Sequence, residues 1–218
     1  MIAFLDIETS KSSDKIYELG LSVDEFKERH TSVSKICEVF HAKKPKFICG
    51  HNFIEHDKTY LSNTGFNQIL QTTHIIDTLY LSMLLFPNKK THKLEKPYKT
   101  ELNIENDPLG DALQTKELFY LLDAKFSSLP KTLAQIFVNL LYDSEYYKGY
   151  FIYKNLSKKE VDIYEFIKDR VECSKDDIIG LEQTTPLELA YVISFLYSDR
   201  NASISHILIE KFPFIVWI

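Results

Sequence analysis

Ile2-Ala3-Phe4-Leu5-Asp6-Ile7-Glu8 decides how the rest of the chain is read. Apart from two acids every residue is apolar, strand formers dominate, and the stretch is too short for a helix, so it reads as a buried β-strand. Side chains alternate across a strand, which puts Asp6 and Glu8 on one face. Two carboxylates side by side at the end of a buried strand repel unless something cationic joins them, and a divalent metal resolves the conflict. Taken alone, the pair fits an exposed acidic strand end better.

Working outward, a second strand is expected at Lys15 to Val23, where Ile16, Leu19 and Leu21 mix with polar residues. A helix follows near Ser34 to Phe40. Lys46-Phe47-Ile48-Cys49 reads as another short strand that delivers the chain to Gly50-His51-Asn52. Asp57 then opens a segment whose Tyr60 and Leu61 fit one helical face. Ile75-Ile76-Asp77 ends a further strand before a helix over Leu79 to Leu85, which Pro87 stops. From Asp107 to Leu122 the apolar positions Ala112, Leu118, Phe119 and Leu122 recur at helical spacing, with Pro108 in the first turn and Asp111 inside. Asp57 and Asp111 each follow a spacing that allows a return to the same sheet edge, so four carboxylates could converge.

Asn88 to Lys99 is the most basic stretch, carrying Lys89, Lys90, His92, Lys93, Lys96 and Lys99 with Tyr98 among them. It reads as a charged loop; most such runs are merely solvated, but this one lies between segments that must meet at one site, which favours a role in holding phosphates and stacking a base. A chain boundary is expected at Ser127-Ser128-Leu129-Pro130. Beyond it the pattern is helical, with capping boxes at Ser157/Glu160 before Val161 to Arg170 and at Thr185/Glu188 before Leu189 to Tyr197.

Composition narrows the classes. The 218 residues are 44% hydrophobic and 26% charged with six glycines, which suits a globular chain and leaves no phosphate-binding glycine loop. Apolar runs are short of the roughly 20 residues a membrane span needs, and the acids of the opening strand argue against a signal peptide. A cytoplasmic protein with no membrane partner is expected. Cys37, Cys49 and Cys173 lie far apart, against a disulfide framework or a zinc site. A net charge of −5 means that contact with nucleic acid must be local, and with Arg29, Arg170 and Arg200 the only arginines, sequence-independent binding is expected.

The ordered set Phe4-Leu5-Asp6-Ile7-Glu8-Thr9, Gly50-His51-Asn52-Phe53-Ile54-Glu55-His56-Asp57, Ile76-Asp77-Thr78-Leu79 and Asp107-Pro108-Leu109-Gly110-Asp111-Ala112 resembles the DEDD superfamily of 3′-to-5′ exonucleases, proofreading-type nucleases with a ribonuclease-H-like fold. The likeness covers residues 1 to about 125. More narrowly, His92-Lys93-Leu94 through Tyr98-Lys99, with Asn106 and Asp111, is similar to the exonuclease domain fused ahead of RecQ-type helicases in some bacteria. The resemblance implies an α/β sheet flanked by helices at residues 1–125. It makes residues 130–218 a helical extension or linker towards a missing domain, with a helicase in the same or another chain as a partner.

It further implies hydrolysis of single-stranded DNA from the 3′ end with two divalent metals, Mg²⁺ or Mn²⁺, roughly 3.5–4 Å apart. In that scheme Asp6 bridges the metals, Glu8 and Asp111 complete one of them, and Asp57 reaches the second directly or through water. Asn52, Lys89, Lys90, Lys93, Lys96, Tyr98 and Lys99 would bind substrate. The chain departs from the family at the general base. Asn106 stands where one subclass has histidine and Asp107 where the other has tyrosine. His92 is the preferred substitute, set against an ordinary solvated histidine beside lysines, while His51 and His56 read as structural hydrogen bonders. An exoribonuclease and a catalytically impaired nucleic-acid-binding module are the alternatives.

Overall fold

The computed structural model describes residues 1–10, 15–94, 107–168 and 185–198. Five strands, β1 (Ile2–Thr9), β2 (Ile16–Val23), β3 (Phe26–His30), β4 (Phe47–Gly50) and β5 (His74–Asp77), form one sheet in the order β3-β2-β1-β4-β5. The first three are antiparallel neighbours, while β1, β4 and β5 run parallel. Helices α1 (Val33–Lys43), α2 (Asp57–Ser62), α3 (Asn67–Thr72), α4 (Thr78–Leu85) and α5 (Pro108–Ser127) complete the α/β, ribonuclease-H-like arrangement expected from the sequence. They are followed by α6 (Lys131–Leu141), α7 (Glu145–Tyr153), α8 (Ile163–Lys168) and α9 (Pro186–Ser198). Among the described residues no helix is long and apolar enough to cross a membrane.

Strand alternation divides the core in two. Ala3, Leu5 and Ile7 pack with Leu19, Leu21, Val23 and Ile48 under Ile36 and Phe40 of α1, Leu61 of α2 and Ile69 of α3. On the other face Phe4, Cys49 and Ile76 join Tyr80, Leu81 and Leu84 of α4 and Phe119, Leu122 and Phe126 of α5. Each such large side chain, fully buried, contributes about 1.5–3 kcal/mol of transfer free energy.

The chain turns between α5 and α6 where the boundary was expected, and the helices beyond it extend the second core. Leu133, Ile136, Phe137, Tyr147, Tyr150, Phe151, Tyr191 and Phe195 are all buried in it. At Gly149 a side chain would place its Cβ 1.8 Å from the Ile75 carbonyl oxygen, so glycine lets α7 lie directly on β5. The Tyr147 hydroxyl reaches the Tyr191 hydroxyl at 2.7 Å and donates to the Tyr80 carbonyl at 3.2 Å, tying α7 to α9 and α4.

Several local readings are corrected. β3 was not expected, because Phe26-Lys27-Glu28-Arg29-His30 lacks apolar alternation. It is a polar edge strand, reached through Asp24 at φ 51°. The helix expected from Val161 starts at Ile163, and its cap is Asp162, which accepts the Glu165 N–H at 2.8 Å. The stretch before it is held by α6 amides instead: the carbonyls of Ser157 and Lys159 accept from Gln135 and Asn139. The capping box at α9 is present in both directions, Thr185 N–H to Glu188 Oε2 at 2.6 Å and Glu188 N–H to Thr185 Oγ1 at 3.3 Å.

Candidate metal centre

β1 outruns its parallel neighbour. The last register pair with β4 is Phe4 with Cys49, whereas pairing with β2 continues to Thr9. Asp6 and Glu8 lie on this overhang, on the face that Phe4 shares, while Ile7 points into the opposite core. Phe4 packs against Phe119 and Tyr120 of α5, with ring centroids 5.8 and 6.2 Å apart, so α5 runs along this face towards the acids.

Gly20 decides where α5 begins. It is the cross-strand partner of Asp6, and a Cβ there would lie 2.1 Å from the Pro108 carbonyl carbon and 2.2 Å from the Leu109 nitrogen. Those neighbours are backbone and cannot rotate away. The bare glycine therefore seats the first turn of α5 on the sheet beside Asp6. Asp107 caps the helix by accepting the Gly110 N–H at 3.0 Å, and Asp111 follows within the first turn. One carboxylate oxygen from each of Asp6, Glu8 and Asp111 comes within 4.8 Å of the others. Among the described residues this is the one such group of possible ligands.

Three of the four expected carboxylates meet in this group; Asp57 is not one of its members and is tied instead to the backbone of the strand that carries Asp6 and Glu8. It is 3% exposed, and its Oδ1 accepts the N–H of Ile7, the residue between Asp6 and Glu8, at 3.1 Å. Burial pushes its carboxyl up, while His56 and the Ile7 N–H pull in the other direction. His56 Nδ1 is 3.4 Å from Asp57 Oδ2, and the bond to Asp57, with the charge of Glu8, raises the imidazole's pKa against the effect of burial. Sequence reasoning gave His56 a structural role and missed its place beside the acids. That place depends on the fold of the Gly50–Asp57 corner.

Asp77 builds that corner. Fully buried, it accepts the N–H groups of Asn52 at 2.9 Å, Ile54 at 3.0 Å and Leu79 at 3.0 Å, and burial pushes its carboxyl up to about 6 against those bonds. Asn52, expected to touch substrate, turns the chain at φ 61°, and Phe53 folds over Gly50.

His51 and His92 form a polar cluster past the ends of β4 and β5. His51 Nδ1 lies 2.9 Å from Thr78 Oγ1, and His92 Nδ1 lies 2.9 Å from Ser82 Oγ. Burial lowers the His51 pKa to about 4, opposed by a hydrogen bond to the His92 backbone. Burial and Lys89 lower that of His92. Neither histidine belongs to the three-carboxylate group. Lys89, Lys90 and Lys93 are exposed on the same loop. Lys96, Tyr98, Lys99 and Asn106 lie outside the described residues. Asp107 is engaged as a cap: burial opposes its ionisation, but the Gly110 N–H and Arg29 hold its carboxyl below the usual range. No protein-family model and no curated protein sequence matches the chain.

Proposed function

We propose that the protein is a metal-dependent exonuclease that removes nucleotides from the 3′ end of single-stranded DNA. The observation that carries this reading is the meeting of Asp6 and Glu8, on an overhanging strand, with Asp111 of α5 within 4.8 Å, while buried Asp57 is bonded to the same strand. All of the donors are carboxylate oxygens, a set that suits Mg²⁺ or Mn²⁺. Divalent metals bound there would relieve phosphate charge and make water acidic enough to attack. Asp6, Glu8 and Asp111 would hold them. Asp57, fixed by the Ile7 N–H, would complete the set, while Lys89, Lys90 and Lys93 with Lys96, Tyr98 and Lys99 hold the strand, which a helicase partner would supply.

His92 serves as base in this reading. Its lowered pKa keeps it neutral at pH 7, the form that accepts a proton, and Ser82 anchors its Nδ1. His92→Ala should then lower turnover far more than binding and remove one ionisation from the pH profile; unchanged turnover at saturating DNA would make it a phosphate contact. The whole proposal is tested by incubating labelled single-stranded DNA and RNA with Mg²⁺, Mn²⁺ or chelator. Stepwise 3′ shortening of DNA, abolished by chelator, is expected. Faster RNA cleavage would shift the substrate, binding without cleavage would favour the impaired module, and chelator-resistant cleavage would refute the metal assignment.

A further inference from the structure

Asp6, Gly20 and Arg29 are register partners in one row across β1, β2 and β3. Directly opposed residues share a face, so Asp6 and Arg29 stand on either side of the gap that Gly20 leaves and that the backbone of Pro108 and Leu109 enters. From its side of the gap the Arg29 guanidinium pairs with Asp107 Oδ1, and its Nε is 3.4 Å from Glu18 Oε1. Asp107 is the cap of α5, and its carbonyl accepts the Asp111 N–H at 2.9 Å. Glu18 is the cross-strand partner of Glu8. Arg29 thus touches one neighbour of each half of the carboxylate group, a helix cap one hydrogen bond from Asp111 and a strand acid opposite Glu8.

We propose that Arg29 is a positioning residue for the carboxylate site: it clamps the first turn of α5 over Gly20 and so sets how far Asp111 stands from Asp6 and Glu8. The inference rests on the metal-site reading above. Glycine only permits the close approach. The clamp fixes it, because an arginine fork makes two directed contacts where an ammonium makes one mobile contact. The same fork neutralises Glu18, and like charges directly opposed across a strand pair are unfavourable, so Arg29 relieves Glu8 of that repulsion from outside the site. The pair with Asp107 is more than a third exposed on each side, and ion pairs so placed contribute little to global stability. Its effect should therefore appear in metal binding while the melting temperature stays nearly constant.

The experiment compares Mn²⁺ binding by calorimetry, thermal melting and DNA cleavage in the full chain and in Arg29→Met and Arg29→Lys. Arg29→Met should bind Mn²⁺ about tenfold more weakly or worse, as loss of a residue that orients a ligand does, with melting nearly unchanged. Turnover should fall while KM for DNA holds, and excess Mn²⁺ should restore most of it. Arg29→Lys should recover part of the affinity. If wild type binds Mn²⁺ and Arg29→Met binds it equally well, the clamp is refuted and the nuclease reading stands. A raised KM with a shallower salt dependence and intact Mn²⁺ affinity would make Arg29 a phosphate contact, which also overturns the proposal. Should wild type bind no Mn²⁺, the metal site falls and the clamp with it.

Discussion

The two faces of β1 carry the same strand geometry and opposite chemistry. On one, Ala3, Leu5 and Ile7 stay apolar to the end, all at or below 4% exposure under α1 to α3. On the other, Phe4 is apolar where α5 covers it, and the pattern turns to Asp6 and Glu8 where α5 begins. Burial on both faces would have given a more stable strand. The acidic face forgoes that stabilisation at the positions where a helix N-terminus, an edge overhang and a glycine gap come together. A strand whose faces diverge in this way has one face for folding and one for a site, and substitutions should separate them.

The largest separation is expected between acids and apolar residues of adjacent number. Asp6→Ala, Glu8→Ala or Asp111→Ala should each lower cleavage on the order of a thousandfold while the melting temperature holds or rises, because clustered anions repel. Ile7→Ala should do the reverse, costing about 2–5 kcal/mol in urea unfolding yet leaving Mn²⁺ affinity of the folded fraction near wild type. An acid variant that unfolds, or an Ile7→Ala that folds well but loses the metal, would break the contrast.

Gly20→Ala comes next, since it acts on the acidic face without touching an acid. Its Cβ would meet helix backbone at 2.1 Å, so α5 must lift and carry Asp111 with it. Weaker Mn²⁺ binding together with loss of stability is expected, by calorimetry and melting. Unaltered Mn²⁺ affinity would mean that the three carboxylates do not depend on the seating of α5.

Smaller effects are expected from the loop. Removing Lys89, Lys90, Lys93, Lys96 and Lys99 should flatten the salt dependence of DNA binding by up to about 0.7 log units per log salt for each phosphate no longer neutralised, with Mn²⁺ affinity intact. A slope that does not change would route the strand over another surface.

Much of this was legible in the sequence, and what was missed shares a cause. Alternation in Ile2 to Glu8 located β1 and the acid pair, Pro108 marked the start of α5, and Thr185/Glu188 marked α9, all from signals within a few residues. Gly20, Arg29 and His56 gave no local signal. Their roles arise from pairings far apart in the chain: Gly20 under Pro108, Arg29 on Asp107, His56 turned towards Asp57 by a corner that Asp77 holds. The helices after Ser128 were legible as helices. That they share a core with the sheet depends on Gly149 over Ile75 and Tyr147 against Tyr80, contacts that periodicity does not encode.

The last prediction concerns polar residues that build the same sheet edge without joining the acids. Folded His51 takes a proton only near pH 4, whereas an unfolded histidine takes one near 6.5, so between these values the unfolded chain binds more protons and stability falls as pH drops. Asp77 acts in the opposite sense: raised to about 6, it favours the folded state at low pH, and that contribution is lost as pH rises through 6. The two offset one another between pH 4 and 6. His51→Gln removes one side of the balance while leaving an amide to meet Thr78. Relative to wild type, the variant should gain about 2 kcal/mol on going from pH 7 to pH 5, read from paired urea unfolding curves. Parallel pH dependences would mean that water reaches His51 in the folded protein. That corner, and Asp57 with it, would then be looser than the packing around Phe53 implies.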